Sequence, residues 1–137
     1  MDLYAENILD HYRHPRGQEP LTNPSVERRE ENLSCGDELT VRLVLKDDVI
    51  SSVSWEGTGC AISQAAMSLL SEELTGMTTD DLTKMKTERI YELLGVPVGP
   101  RRFKCALLCL HTLKNALRVH AKKEPQGWLE TVALDND

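Results

Sequence analysis

The sequence predicts an α+β fold, because one helix precedes a group of three strands and further helices follow the strands. Three observations support this order. Residues 3–13 carry apolar side chains at helical spacing, residues 38–57 contain two β-branched runs, and residues 61–121 are rich in helix-forming residues. With 137 residues, of which 40% are hydrophobic, we expect one domain with its own core.

The strands are predicted from β-branched runs and a turn signal. Residues 38–46 and 49–57 have strand length, and the pair Asp47 and Asp48 between them suits a tight turn. Together they predict an antiparallel hairpin. Residues 23–33 are interpreted as an edge strand that precedes this hairpin.

The later helices are predicted from their start and stop signals. Gly76 and Gly95 each follow an apolar run, and acidic residues occupy the first turns of two segments. The predicted helices cover residues 61–74, 78–85, 87–94 and 101–121. In the last helix an apolar stripe is expected to face the core: Phe103, Leu107, Leu110, Leu113 and Leu117. We assign residues 1–121 to a single domain and residues 122–137 to a short acidic C-terminal tail, in which Trp128 and Leu129 are candidates to fold back.

Charge and composition limit the kinds of partner. The net charge is −6 and the isoelectric point is near 5.2, so no basic excess exists to neutralise phosphates, and a nucleic-acid partner is not expected. The first residues contain no apolar signal-peptide core, and no apolar run reaches membrane-spanning length. We therefore expect a cytoplasmic protein with reduced thiols and no membrane partner. Its four cysteines are candidates for metal ligands, nucleophiles or core residues rather than disulfides.

Three cysteines lie where predicted elements begin. Cys35 and Asp37 lie in the turn before a strand, Cys60 follows a Gly-Thr-Gly run, and Cys105 is near the start of the last helix. Helix N-termini favour thiolates, and three thiolates with one carboxylate form a tetrahedral set for Zn²⁺. Thiolates also hold iron–sulfur clusters. Buried cysteines are often inert, and Cys109 is interpreted in that way. The histidines show no metal-binding spacing and are interpreted as structural: His11, His14, His111 and His120.

Four stretches of the sequence, in order from about residue 3 to 118, resemble one known family. They are "LYAENILDHYRHPR", "NLSCGDELTVRL", "WEGTGCAISQAAMSLLSEELTG" and "FKCALLCLHTLKNAL". The family is IscU/SufU, which is also the amino-terminal domain of NifU. The resemblance implies a small antiparallel three-stranded sheet packed against a layer of helices, with a metal site at one exposed end. It also implies that the ligands are Cys35, Asp37, Cys60 and Cys105.

Features of both branches of the family are present. IscU-type proteins carry a histidine immediately before the third cysteine, whereas this chain has Lys104, which resembles the SufU branch. The SufU branch usually has an insertion between the second and third cysteines. Here only 44 residues separate Cys60 from Cys105, which resembles IscU. The IscU segment typically written "LPPVK" is replaced by "VPVGPRR".

The resemblance implies a role in iron–sulfur cluster biogenesis, with a pyridoxal-phosphate cysteine desulfurase as the sulfur donor and apo iron–sulfur proteins as acceptors. The favoured interpretation is a SufU-like zinc-dependent sulfurtransferase, in which Cys35 accepts persulfide sulfur and Cys105 is the alternative acceptor. Lys104 is expected to modulate the site by favouring the thiolate of Cys105. The alternative is an IscU-like scaffold that assembles a [2Fe–2S] cluster on the same residues and transfers it. A structural zinc protein is a third, less favoured interpretation.

Overall fold

The fold is described by a computed structural model that covers residues 3–133, with side chains described for residues 5–132. A first helix precedes three strands, and helices follow them, as predicted. The elements are α1 Leu3–Arg13, β1 Val26–Asn32, β2 Asp37–Lys46, β3 Val49–Thr58, α2 Ala61–Leu74, α3 Thr79–Lys84, α4 Thr87–Leu94, α5 Phe103–His120 and α6 Trp128–Ala133. The last helix, α6, lies in the segment that the sequence assigned to the tail. No helix among residues 3–133 is both long and apolar enough to cross a membrane.

The three strands form one antiparallel sheet in the order β1-β2-β3. Asp47 and Asp48 join β2 to β3, with φ values of 52° and 62°. Positive φ at both central residues is the geometry of the two-residue turns that match the twist of a hairpin. At the other end of β2, Asp37 pairs with Asn32, the last residue of β1. This register brings the end of β1 beside the first predicted carboxylate ligand.

The helix α5 forms the centre of the fold. Every residue from Cys105 to Leu117 is buried, so the predicted single apolar stripe understates how much of the helix is covered. The cause is that α5 packs against β1 and β2 on one side and against α2, α3, α4 and α6 on others. Its buried polar residues include His111, Lys114 and Asn115.

The helix α6 docks on α5 through an aromatic contact. The Trp128 indole stacks on the His111 ring, with ring centroids 4.1 Å apart and an interplanar angle of 14°. His111 Nδ1 also lies 2.7 Å from Thr131 Oγ1, which belongs to α6. Trp128 therefore folds back onto the body of the protein, whereas Leu129 is 84% exposed and does not.

A buried polar network connects α5 to β1. The Asn115 Nδ2 group donates to Glu30 Oε2 at 3.0 Å, and Asn115 Oδ1 accepts from the Gln126 N–H at 2.7 Å. Burial by itself would raise the pKa of Glu30, but hydrogen bonds from His111, Arg28 and Asn115 outweigh it and lower that pKa to about 2. The ionised form of Glu30 is therefore the one that stabilises the fold.

We expect Glu30→Gln to lower the free energy of unfolding at pH 7 by about 1–2 kcal/mol, because charge-assisted hydrogen bonds are lost. The folded pKa of Glu30, about 2, lies below the ordinary value of 4.5, so the stabilisation is present above pH 4.5 and is lost as the pH falls towards 2. Urea unfolding at pH values between 7 and 2 measures both effects. The parent should lose more stability than the variant on acidification.

Glu27→Gln is the matched control on the same strand. Glu27 bonds Arg42 at 2.8 Å, but its side chain is 55% exposed, and exposed ion pairs contribute little. If Glu30→Gln and the parent lost the same stability on acidification, the stabilising role of ionised Glu30 would be contradicted.

Candidate metal centre

Asp37 is the buried carboxylate of the centre. It is the first residue of β2 and is 1% exposed. Its Oδ1 atom accepts the Cys60 N–H at 2.8 Å and the Ser63 hydroxyl at 3.3 Å, and its Oδ2 atom accepts from Asn32 Nδ2 at 3.2 Å. Cys60 and Ser63 belong to the start of α2, where the helix dipole favours a negative charge. The carboxylate is therefore held in one orientation by the protein itself.

Cys35 lies in the turn between β1 and β2 and is exposed. The N–H groups of Cys35 and Gly36 both donate to the Asn32 carbonyl, at 3.3 and 2.9 Å. Gly36 has φ +73°, a conformation that glycine adopts at little cost, and it lets the chain reverse between the cysteine and Asp37. The glycine thus allows an exposed thiol and a buried carboxylate to be two residues apart.

Cys105 supplies a buried thiol from the first turn of α5. It is 1% exposed, and its Sγ lies 3.2 Å from Cys35 Sγ. Burial raises the pKa of the Cys105 thiol well above its ordinary value, and the neighbouring Cys35, Asp37 and Cys60 raise it further. The raised pKa means that the Cys105 thiol stays protonated in the absence of a cation. A cation among these groups would reverse the effect.

The ligand atoms of Cys35, Asp37 and Cys105 all lie within 4.8 Å of one another. Two sulfur atoms and one carboxylate oxygen at this spacing fit a zinc ion, which takes these donors in tetrahedral sites. Cys60, the fourth predicted ligand, is half-buried and is not in this group of described residues. Its backbone N–H donates to Asp37 Oδ1, so Cys60 adjoins the group through its backbone, and its role as the fourth ligand remains a prediction.

Lys104 and Cys109 both lie outside the group. The Lys104 Nζ atom is 5.8 Å from the centroid of the Trp128 ring, within range of a cation–π contact. The modulating effect of Lys104 on Cys105 remains a prediction. Cys109 is fully buried, its Sγ–H donates to the Ala106 carbonyl at 3.5 Å, and burial raises its pKa to about 12. Its environment is that of a core residue.

None of the histidines in residues 5–132 joins the group of ligand atoms. His11 and His111 are buried and lie 2.7 Å from the hydroxyls of Ser68 and Thr131, respectively. His14 and His120 are exposed. The donor set consists of thiols and one carboxylate, without imidazole.

Asn32 and Ser63 contact the centre but were not singled out from the sequence. Asn32 Nδ2 lies 3.6 Å from Cys105 Sγ as well as near Asp37. The only sequence signal for Asn32 is its place near the end of the predicted edge strand, a few residues before Asp37. A short turn between the two strands sets Asn32 opposite Asp37. Ser63 is fully buried one turn after Cys60, a spacing that places its hydroxyl at the helix start.

The comparisons with known proteins identify the family. The family description "NifU-like N terminal domain" matches residues 3–126. The iron–sulfur cluster assembly scaffold protein IscU of Thermotoga maritima is 30% identical, over 85% of this chain and 93% of that protein. The zinc-dependent sulfurtransferase SufU of Bacillus subtilis is also 30% identical, over 89% of this chain and 92% of that protein.

A solved structure supports the same assignment. It is a protein from Fervidobacterium islandicum AW-1, described as a candidate iron–sulfur cluster assembly scaffold for the SUF system. The two folds superpose with a TM-score of 0.73 at 30% identity, covering 82% of this chain and 94% of that one. The chain belongs to the NifU-like N-terminal domain family, which includes the IscU and SufU iron–sulfur cluster assembly proteins. The resemblance seen in the sequence and the predicted α+β fold are both confirmed.

Proposed function

We propose that this protein is a SufU-like zinc-dependent sulfurtransferase of iron–sulfur cluster biogenesis. One observation carries the proposal: the exposed thiol of Cys35 lies 3.2 Å from the buried thiol of Cys105, in the same group as the buried Asp37. An accessible thiol beside fixed, buried ligands can leave a metal site and return to it. A purely structural zinc site is usually closed on all sides.

Asp37 and Cys105 would be the buried ligands of zinc, with Cys35 and Cys60 as the more accessible ligands. When bound, zinc supplies the positive charge that keeps these thiols deprotonated. This offsets the burial that otherwise raises the pKa of Cys105. The protein itself keeps the Cys35 thiol at the surface and holds the other ligand atoms in place.

Sulfur transfer follows from the exposure of Cys35. Its thiolate attacks the outer sulfur of a cysteine persulfide on the desulfurase, and a new S–S bond forms as the old one breaks. The desulfurase cysteine leaves as a thiolate, and Cys35 carries the persulfide. Cys105, at 1% exposed, is the alternative acceptor only if the site opens. The partners would be a pyridoxal-phosphate cysteine desulfurase and apo iron–sulfur proteins, in the cytoplasm, where thiols stay reduced.

The second candidate is an IscU-like scaffold that assembles and transfers a [2Fe–2S] cluster on the same thiols. It is favoured by the short segment between Cys60 and Cys105, whereas identity to the IscU relative and to the SufU relative is the same, 30%, and favours neither. The sulfurtransferase is favoured by Lys104 in place of a histidine and by a donor group without imidazole.

Anaerobic purification followed by metal analysis, an absorption spectrum and a desulfurase assay tests the proposal. We expect about one zinc per chain, which the tetrahedral ligand count requires, together with no visible band and faster cysteine turnover by the desulfurase. A brown protein that contains labile sulfide would support the scaffold instead. Bound zinc without any stimulation of the desulfurase would support a structural zinc site.

A further inference from the structure

We infer that Asn32 is a positioning residue that holds three metal ligands together before any metal binds. The inference rests on the proposed metal site. Asn32 is 2% exposed and is the last residue of β1, where the strand meets both the ligand turn and the first turn of α5. It contacts the residues that bear all three donors of the group.

The Asn32 side chain forms hydrogen bonds with two of the three ligand atoms. Its Nδ2 atom donates to Asp37 Oδ2 at 3.2 Å and lies 3.6 Å from Cys105 Sγ. A primary amide has two N–H donors on one nitrogen, so it can serve both acceptors at once. The two acceptors are a carboxylate and a thiol that must become a thiolate to bind zinc. A neutral donor between them offsets their mutual repulsion without adding a charge.

The Asn32 backbone fixes the turn that carries the third ligand, Cys35. Its carbonyl accepts the N–H groups of Cys35 and Gly36, so the exposed turn is tied to the same residue as the two buried ligands. Cys35 and Asp37 lie two residues apart, in a turn and at the start of β2, whereas Cys105 comes from α5, far along the sequence. The bonds of Asn32 connect all three, and a substitution of its side chain removes the amide bridge from Asp37 to Cys105 while the backbone contact to the turn remains.

Two substitutions test the side chain. Asn32→Ala removes both amide N–H groups. It is expected to weaken zinc binding about ten- to hundredfold, the usual cost of losing a residue that orients a metal ligand. Asn32→Ser keeps one donor, so its loss should be smaller. Zinc affinity is measured by chelator competition, and the absorption spectrum of the Co²⁺-substituted protein reports the ligand geometry. Thermal unfolding of the metal-free chains measures the structural effect separately.

Asn115→Ala is the matched control, because Asn115 is equally buried, at 1% exposed, but bonds Glu30 and Gln126 rather than the ligands. We expect it to lower thermal stability and to leave zinc affinity and the Co²⁺ spectrum unchanged. The inference would be overturned if the zinc affinity of Asn32→Ala stayed within about twofold of the parent, or if Asn115→Ala lost as much zinc affinity. Either result would leave the proposed function standing. A parent chain that takes up no metal would overturn the proposed function as well. If Asn32→Ala does not fold, Asn32→Ser decides the question by the same two measurements.

Discussion

Cys35→Ala is expected to abolish sulfur uptake, with persulfide loading reduced at least about a hundredfold, because it removes the accessible nucleophile. The other thiols are less accessible than Cys35, and Cys60 is half-buried. Cys105 is 1% exposed with a raised pKa, and Cys109 is fully buried with a pKa of about 12. The measurement is intact-mass analysis after incubation with a cysteine desulfurase and cysteine, followed by peptide mapping. The parent chain should gain sulfur on Cys35.

Cys109→Ala is the control for this experiment, since it removes a thiol from the core and none from the centre. It should be loaded like the parent. Full loading of Cys35→Ala, with the sulfur mapped to Cys105, would show that Cys105 is the acceptor and that the site opens during transfer. A parent chain that gains no sulfur from an active desulfurase would contradict sulfur transfer altogether.

The second large effect is expected at Gly59, which precedes Cys60 and lies against Asp37. Its φ is +147°, and a Cβ atom added there would lie 2.9 Å from both Cβ and Cγ of Asp37. Because Asp37 is held by hydrogen bonds on both oxygens, it cannot move aside without losing them. Gly59→Ala should therefore lower stability by about 2–4 kcal/mol through backbone strain and overpacking. It should also weaken zinc binding at least about a hundredfold, because the carboxylate is displaced.

Gly76→Ala separates the effect of backbone strain from the effect of displacing Asp37. Gly76 also has a positive φ, +91°, but a Cβ atom there would meet nothing within 4 Å. We expect this control to lose about 1 kcal/mol of stability and to bind zinc like the parent. Denaturant unfolding and zinc titration of both variants give the comparison. Unchanged zinc affinity in Gly59→Ala would mean that the position of Asp37 does not matter for the metal.

The sequence predicts those parts of the fold that depend on neighbours along the chain. The Asp47-Asp48 turn, the helix that starts after Cys60, and the αL residue Gly95 that ends α4 are all local signals, and the structure places each one as predicted. Cys35 and Asp37 could be proposed as ligands because the Cys-Gly-Asp segment is part of the family resemblance, whereas spacing alone is less specific.

Other features depend on contacts between distant segments, which periodicity does not encode. His111 and Asn115 are buried within α5 only because β1 and α6 supply partners for them. α6 itself is a six-residue helix, too short to show an apolar period, and its contact with α5 depends on the stack of Trp128 on His111. Asn32 could be recognised only after the register of β1 with β2 and the position of Cys105 were known.

The docking of α6 on α5 also gives the protein an intrinsic fluorescent reporter. Of the two tryptophans, Trp55 is 1% exposed, and its Nε1–H donates to the Arg16 carbonyl at 2.6 Å, so its emission reports the core. Trp128 is partly exposed and lies against His111 and Lys104, the residue that precedes Cys105. A change in emission when metal or a desulfurase binds can thus be assigned by comparing the parent with Trp128→Phe. Because Lys104 precedes Cys105, we expect the emission of Trp128 to change when metal binds, a signal that needs no attached dye.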